Sequence, residues 1–130
     1  MNVFIVILGA GLGGGMRHGI SVAVSRVAPG VDFPIATLII NVLGSCLMGV
    51  LAETFVLRGA GDHPLRLFLT TGVLGGFTTF STFSLDAVAL YDRGEVAAAG
   101  FYVLASVVAA LLSLVAGIAM ARTFLGGGVS

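Results

Sequence analysis

The hydrophobic residues of the chain are grouped into four long stretches, which are separated by three short polar turns. The turns contain Pro29-Gly30 and the segments 58–64 and 92–95, which combine glycine or proline with charged side chains. Each apolar stretch exceeds the roughly 20 residues that a helix needs to cross the ~30 Å hydrocarbon core of a bilayer. The pattern therefore predicts an all-α integral membrane protein, a single transmembrane domain over 1–130 with spans at about 3–27, 34–57, 65–91 and 96–124.

Composition supports a membrane protein and excludes several other classes. Hydrophobic residues make up 58% of the chain and charged residues 9%, and the mean hydropathy is +1.14. The formal net charge is zero and lysine is absent, so no basic surface exists for a nucleic acid. Cys46 is the only cysteine, which excludes an intramolecular disulfide and a paired-cysteine zinc site. No span groups a nucleophile, a base and an orienting residue, so we do not expect an enzyme.

Twenty glycines in so apolar a chain indicate close helix packing. In the first span, Gly9 with Gly13 and Gly11 with Gly15 form two overlapping pairs at four-residue spacing, which lets helix backbones approach each other in lipid. Gly9, Gly11 and Gly14 also fit G-x-G-x-x-G, but a dinucleotide site needs a preceding strand and a solvated pocket. We therefore predict that the first span packs through its glycines.

Two polar side chains lie inside the first two spans. Arg17 either snorkels to anchor the far end of its helix or places a positive charge in a vestibule for an anion. Asn41 lies near the middle of the second span, where its amide either bonds a neighbouring helix or donates along a pathway. The residues alone leave both pairs of alternatives open.

The third segment contains the most informative window, residues 72–84, in which two adjacent glycines precede five hydroxyl side chains. Glycines and β-branched threonines weaken a helix, and hydroxyls can satisfy the backbone groups that a break releases. We therefore predict a break at Gly75-Gly76 in a helix that lines a polar interior. The hydroxyls belong to Thr78, Thr79, Ser81, Thr82 and Ser84.

Aromatic and polar side chains extend this pattern. Phe80 and Phe83 share one face of a helix, and their rings serve either apolar packing or the contact of a positive ring edge with an anion. In the fourth span Tyr102 and Ser106 lie one turn apart, with Ser113 two turns further. These three residues either continue a polar stripe or bond neighbouring helices.

The segment 75–83, together with Asn41, resembles the Fluc (CrcB) fluoride channel family. The segment 13–17 also resembles a glycine-small-x-x-arginine element of that family, and the similarity covers the whole chain. Two positions depart from the family pattern. His18 stands where an aromatic residue is common, and Ala110 stands where a further hydroxyl would extend the ion track.

The resemblance implies an antiparallel, dual-topology homodimer in the inner (plasma) membrane, with two pores through which toxic cytoplasmic fluoride leaves passively. The partners would be fluoride, a second copy of the chain and membrane lipids. The backbone carbonyls of Gly75 and Thr78 would bind a structural sodium ion on the dimer axis, and Arg17 would have a vestibule or structural role. The fluoride pathway would be formed by Asn41, Thr79, Phe80, Ser81, Phe83, Tyr102 and Ser106.

The positions of the arginines bear on membrane orientation. Three arginines lie on each side of the predicted spans, and the chain has no lysine that would add positive charge to one side. The positive-inside preference is then nearly nil, so the chain should insert both ways and pair head to tail. Arg58, Arg66 and Arg122 lie on one side, and Arg17, Arg26 and Arg93 lie toward the other.

The main alternative function is that of a small four-span proton-coupled exporter, which the size of the chain also fits. That mechanism needs a carboxylate deep in the membrane, whereas Glu53 and Asp86 lie near the ends of their spans. Such exporters also commonly use tryptophan to hold aromatic cations, and the chain has none. A non-transporting helical assembly subunit would have no use for five clustered hydroxyls.

Overall fold

The computed structural model describes residues 2–128, and their regular secondary structure is helical throughout. Seven helical elements build the four spans, and the third span combines several of them with a π-helical segment. The elements are α1 (Asn2–Val27), α2 (Ile35–Leu57), α3 (Pro64–Leu67), a π-helical segment (Phe68–Leu74), α4 (Gly75–Phe77), α5 (Phe80–Asp92) and α6 (Val96–Leu125), with a 3-10 turn at Gly126–Gly128.

Four helical segments are long and apolar enough to cross a membrane, which confirms the predicted all-α membrane architecture. They are Asn2–Val27, Ile35–Leu57, Pro64–Asp92 and Val96–Leu125. Even α2, with 23 residues, is about 35 Å long at 1.5 Å per residue and therefore exceeds the hydrocarbon thickness of a bilayer.

The turns between these segments are short and depend on glycine. Gly30, Gly59 and Gly94 have φ angles of 78°, 62° and 82°, a backbone conformation that favours glycine. The guanidinium of Arg93 donates a hydrogen bond of 3.2 Å to the carbonyl oxygen of Asp32. This bond joins the first and third turns at one end of the bundle.

The most extensive contact in the described part of the bundle is made by α2 and α6, which run parallel. Gly49 and Gly117 are both buried at this contact. A methyl group at Gly49 would overlap the carbonyl oxygen of Leu114, and one at Gly117 would overlap that of Cys46. The two helices therefore touch backbone to backbone, and only glycine fits at either position.

Glycines also join α1 to the third span. A Cβ atom at Gly9 would lie 2.7 Å from the carbonyl oxygen of Phe68, and one at Gly13 would overlap that of Val73. The predicted packing role is confirmed for these two glycines. Gly11 and Gly15 have no neighbouring atom within 4 Å of such a Cβ, so they take no part in this contact.

The predicted position of the helix break is wrong. Gly75 has helical angles (φ −62°, ψ −37°), and Gly76 lies within α4. The extended residues are Thr78 (φ −81°, ψ 157°) and Thr79 (φ −152°, ψ 119°), between α4 and α5. Gly76 serves packing instead, because a methyl group there would overlap the backbone of Ala10 in α1.

Candidate functional site: a polar groove beside two extended residues

A groove of about 290 Å³ lies between α2, α6 and the start of α5. It combines polar groups with two phenyl rings and apolar side chains. The polar lining is contributed by Asn41, Ser45, Thr78, Thr79 and Ser106, and the apolar lining includes Met48, Phe80, Phe83, Ala110 and Leu114.

Asn41 holds the extended backbone of Thr79 through two hydrogen bonds. Its Oδ1 accepts from the Thr79 amide at 2.9 Å, and its Nδ2 donates to the Thr79 carbonyl at 3.0 Å. This pairing assigns the amide orientation, because the backbone N–H needs an oxygen and the carbonyl needs a donor. Asn41 therefore bonds the extended part of the third span, and no second bond of its Nδ2 group is seen among residues 2–128, which leaves one hydrogen for another acceptor.

The Thr79 hydroxyl organises the first turn of α5. It accepts a bond of 3.2 Å from the amide of Thr82, as an N-cap residue does. It also bonds the hydroxyl of Thr82 at 3.1 Å and lies 3.3 Å from that of Ser81, which is exposed. Three hydroxyls thus meet where the extended residues enter α5.

The two phenylalanines of the groove lie in different environments. Phe83 is 9% exposed and packs against Tyr102, with 5.3 Å between the ring centroids. Phe80 is 78% exposed, and its ring lies 5.5 Å from that of Phe83 at an angle of 45°. Phe83 is therefore packed within the protomer, whereas Phe80 presents most of its ring outside it.

Tyr102 and Ser106 of α6 face the same region but differ in hydrogen bonding. Tyr102 is fully buried, and its hydroxyl donates to Oδ2 of Asp86 at 3.2 Å. Ser106 is 6% exposed, and its hydroxyl has no hydrogen-bond partner among residues 2–128. The bond from Ser113 to the carbonyl of Val42, at 2.9 Å, gives Ser113 the interhelical role.

Sequence reasoning missed two residues that belong to this region. Asp86 was treated only as a carboxylate near a span end, although it bonds the buried Tyr102. Its spacing offers a signal, because Asp86 follows Phe83 by three residues and so lies on the same helix face. Ser45 follows Asn41 by four residues and lines the groove by the same rule.

Arg17 is not among the residues that line the groove. Arg17 lies one helical turn after Gly13, and Gly13 packs against Val73 and Phe77. Because one turn advances a helix by about 6 Å, Arg17 lies near the level of the extended residues, on the α1 side of the third span. Its Nε is buried with no hydrogen-bond partner in the described part of the chain.

Several carbonyl groups lose their helical partners at the extended residues, among them those of Gly75 and Thr78. The Thr79 amide, which would bond the Gly75 carbonyl in a continuous helix, bonds Asn41. The Thr82 amide, which would bond the Thr78 carbonyl, bonds the Thr79 hydroxyl. Both carbonyl oxygens therefore suit a hard cation. Over the range 2–128, no three His, Cys, Asp or Glu side chains cluster as metal ligands.

The fold and the groove define a small four-span membrane protein with a polar groove lined by hydroxyls, an amide and phenyl rings. Residues 4–118 match the family described as CrcB-like protein, Camphor Resistance (CrcB), and the chain belongs to this family. It is 52% identical over 124 residues to a protein of Methylobacterium nodulans named fluoride-specific ion channel FluC, and the match covers 95% of this chain and 98% of the relative.

Other relatives have similar names. The chain is 48% identical over 122 residues to fluoride-specific ion channel FluC 2 of Nitrobacter hamburgensis, which covers 94% of this chain and 98% of the relative. It is 49% identical over 122 residues, with the same coverage of both chains, to fluoride-specific ion channel FluC of Rhodopseudomonas palustris. The similarity thus extends over nearly the full length of each relative.

Proposed function

We propose that the chain is a fluoride channel, which lets fluoride leave the cell passively and so protects the cell from fluoride toxicity. Relatives that share about half of its residues over nearly the full chain are named fluoride-specific ion channels. The structural observation that carries the proposal is the groove, in which the Ser106 hydroxyl and one Asn41 hydrogen have no partner among residues 2–128 and can donate. Because these relatives are named ion channels, the protein is a channel and not an enzyme.

The groove offers what a small anion needs when it leaves water. The desolvation of such an ion costs on the order of 20 kcal/mol by Born estimates, and one hydrogen bond to a charged group returns about 1.5–3 kcal/mol. Several donors in succession are therefore required. We assign this series to Asn41, Thr79, Ser81, Tyr102 and Ser106, with ring edges from Phe80 and Phe83.

Tyr102 has a special position in this series because its hydroxyl proton is engaged by Asp86. It donates to the ion only when that bond opens. The carboxylate of Asp86 also carries a negative charge that repels an anion nearby. The pair would therefore stand at one end of the pathway, where water shares the solvation of the ion.

The functional unit is an antiparallel homodimer with two pores. Phe80 is 78% exposed although it lines the groove, so a second copy of the chain would complete the wall around its ring. Three arginines on each side of the spans allow insertion in both orientations. C-terminal reporters should then be active on both sides of the inner membrane, and activity on one side only would contradict dual topology.

A sodium ion would bind on the dimer axis through backbone carbonyls. The carbonyls of Gly75 and Thr78 lack their helical donors, and Gly75 is exposed on the surface of the protomer. Two protomers would supply four oxygen ligands. The role of the ion would be structural, and its charge would also lower the cost of bringing anions into the dimer.

The decisive experiment measures ion efflux from liposomes. Purified protein is reconstituted at low density, and a fluoride electrode records the initial rate of fluoride release, with chloride release recorded in matched vesicles. We expect rapid fluoride efflux and no chloride efflux above that of protein-free vesicles. Efflux of neither ion would contradict channel function, and equal efflux of both would contradict fluoride selectivity.

A further inference from the structure

The hydroxyl of Ser45 differs from several other hydroxyls of the chain, which bond a backbone carbonyl of their own span. Helical Ser and Thr side chains commonly bond the carbonyl four residues earlier. Ser45 lies in the middle of α2 and is half-buried, yet it makes no side-chain hydrogen bond within residues 2–128 and lines the groove. Bonds of 2.7–2.9 Å to the carbonyl four residues earlier are made by Thr54, Thr70, Thr78, Ser84 and Thr123.

The register of α2 and α6 shows which residues of α6 lie opposite Ser45, and these residues offer the groove no polar side chain. Ser113 bonds Val42 and Arg122 bonds Glu53, at sequence separations of 71 and 69, so facing residues differ by about 70. Asn41 is therefore level with about Leu111 and Ser45 with about Val115, so Ala110 and Leu114 lie within one residue of these two levels.

On the Met48 side of Asn41, the facing helix offers only apolar side chains to the groove. Ala110 and Leu114 line it there, and the hydroxyl of Ser113 is engaged by Val42. An anion that passes Asn41 in this direction would meet no side-chain donor from α6. Ser45, about 6 Å further along α2, places a hydroxyl without a bond among residues 2–128 in the groove at that level, whereas the nearby Thr78 hydroxyl donates to the carbonyl of Leu74 at 2.9 Å.

We propose that Ser45 is a further fluoride-pathway residue, whose hydroxyl donates to the anion on the Met48 side of Asn41. The proposal rests on the proposed channel function. Since the Ser45 hydroxyl is not held by the Asn41 carbonyl, it can rotate toward an ion in the groove without breaking an existing bond. Ser45 thereby continues on α2 the donor series that α6 interrupts at Ala110.

The test removes the side-chain hydroxyl from each of two serines and compares the effects on fluoride efflux. Ser45→Ala removes the free hydroxyl, and Ser113→Ala removes one that is bonded outside the groove. We expect the initial rate of fluoride efflux to fall roughly tenfold in Ser45→Ala, as the loss of one bond to an ion predicts, and to stay near wild type in Ser113→Ala. Ser45→Thr, which keeps the hydroxyl, should restore most of the rate.

Several outcomes would overturn the proposal. They are a wild-type rate in Ser45→Ala, equal losses in both alanine variants, and a Ser45→Thr rate as low as that of Ser45→Ala. If Ser45→Ala does not elute as folded protein, Ser45→Cys replaces it, because a thiol keeps the volume but donates weakly. A wild-type rate in Ser45→Cys would then contradict the assignment. Absence of fluoride efflux from the wild type would instead overturn the channel function, and the role of Ser45 with it.

Discussion

The same two helices, α2 and α6, form two very different regions. At the glycine contact, Gly49 and Gly117 bring the backbones together so closely that no side chain fits between them. At the groove, the two helices face a space of about 290 Å³ that also borders the extended residues. One pair of helices thus provides both the close glycine contact and part of the groove lining.

Hydrogen bonding distinguishes these regions as clearly as packing does. Near the glycine contact, Ser113 and Arg122 of α6 bond groups on α2. In the groove, the buried Ser106 hydroxyl has no partner among residues 2–128. A buried polar group without a partner destabilises a protein by about 1–3 kcal/mol, and of these two regions only the groove contains one, as the proposed binding role requires.

The largest effect should follow from opening the glycine contact. Gly117→Leu forces a side chain into the backbone of α2, and we expect little folded protein to survive detergent extraction. Gly100→Leu is the matched control on the same helix, since no atom lies within 4 Å of a Cβ there. Size-exclusion elution and thermal unfolding of both variants test this. Equal stability of the two variants would show that the contact is not needed for folding.

Asn41→Asp should have the next largest effect, and it acts on the groove alone. The carboxylate can still accept from the Thr79 amide, but it cannot donate to the Thr79 carbonyl and it repels an anion. We expect fluoride efflux to fall by about 100-fold or more, since the loss of a donor and like-charge repulsion together amount to roughly 3 kcal/mol. A wild-type efflux rate would remove Asn41 from the pathway.

Removal of sodium should have a smaller effect, and it tests the role of the backbone carbonyls beside the groove. The carbonyls of Gly75 and Thr78 have lost their helical donors, so a cation would satisfy them. Replacing sodium with a bulky organic cation throughout purification should lower fluoride efflux several-fold or weaken the dimer, as cross-linking would reveal. Full activity after demonstrated sodium removal would contradict the structural role.

The rigid part of the molecule could be predicted from sequence far better than the groove. Four apolar stretches are enough to predict four membrane-spanning helices, and glycine spacing predicts the contacts of Gly9 and Gly13, although it equally predicts Gly11 and Gly15, which have no atom within 4 Å of a Cβ position. Both signals are local, because they depend on the hydrophobicity and size of residues in one span. The partner of such a contact is not encoded locally, and the Gly49–Gly117 pair was therefore not foreseen.

The groove depends on contacts between spans, which explains the errors there. Gly75-Gly76 has the composition of a break, but Gly76 packs against Ala10, and Asn41 from another helix supplies the partners for an extended Thr79. The bond between Tyr102 and Asp86 likewise joins two helices. The residues proposed for the pathway stay predictions, although all of them except Ser81 and Tyr102 line the groove.

The smallest effect, and the finest distinction, should come from the two phenylalanines. Phe80→Ile and Phe83→Ile roughly keep the volume of the side chain but remove the positive ring edge, so both should lower fluoride efflux without dissociating the dimer. Only Phe83→Ile should also lower the midpoint of thermal unfolding, because Phe83 packs against Tyr102 whereas Phe80 is 78% exposed in the protomer. Efflux assays and thermal unfolding on the same preparations separate the two effects. Unchanged efflux in both variants would show that the rings serve packing alone, and equal loss of stability would show that Phe80 is as firmly packed in the assembled protein as Phe83.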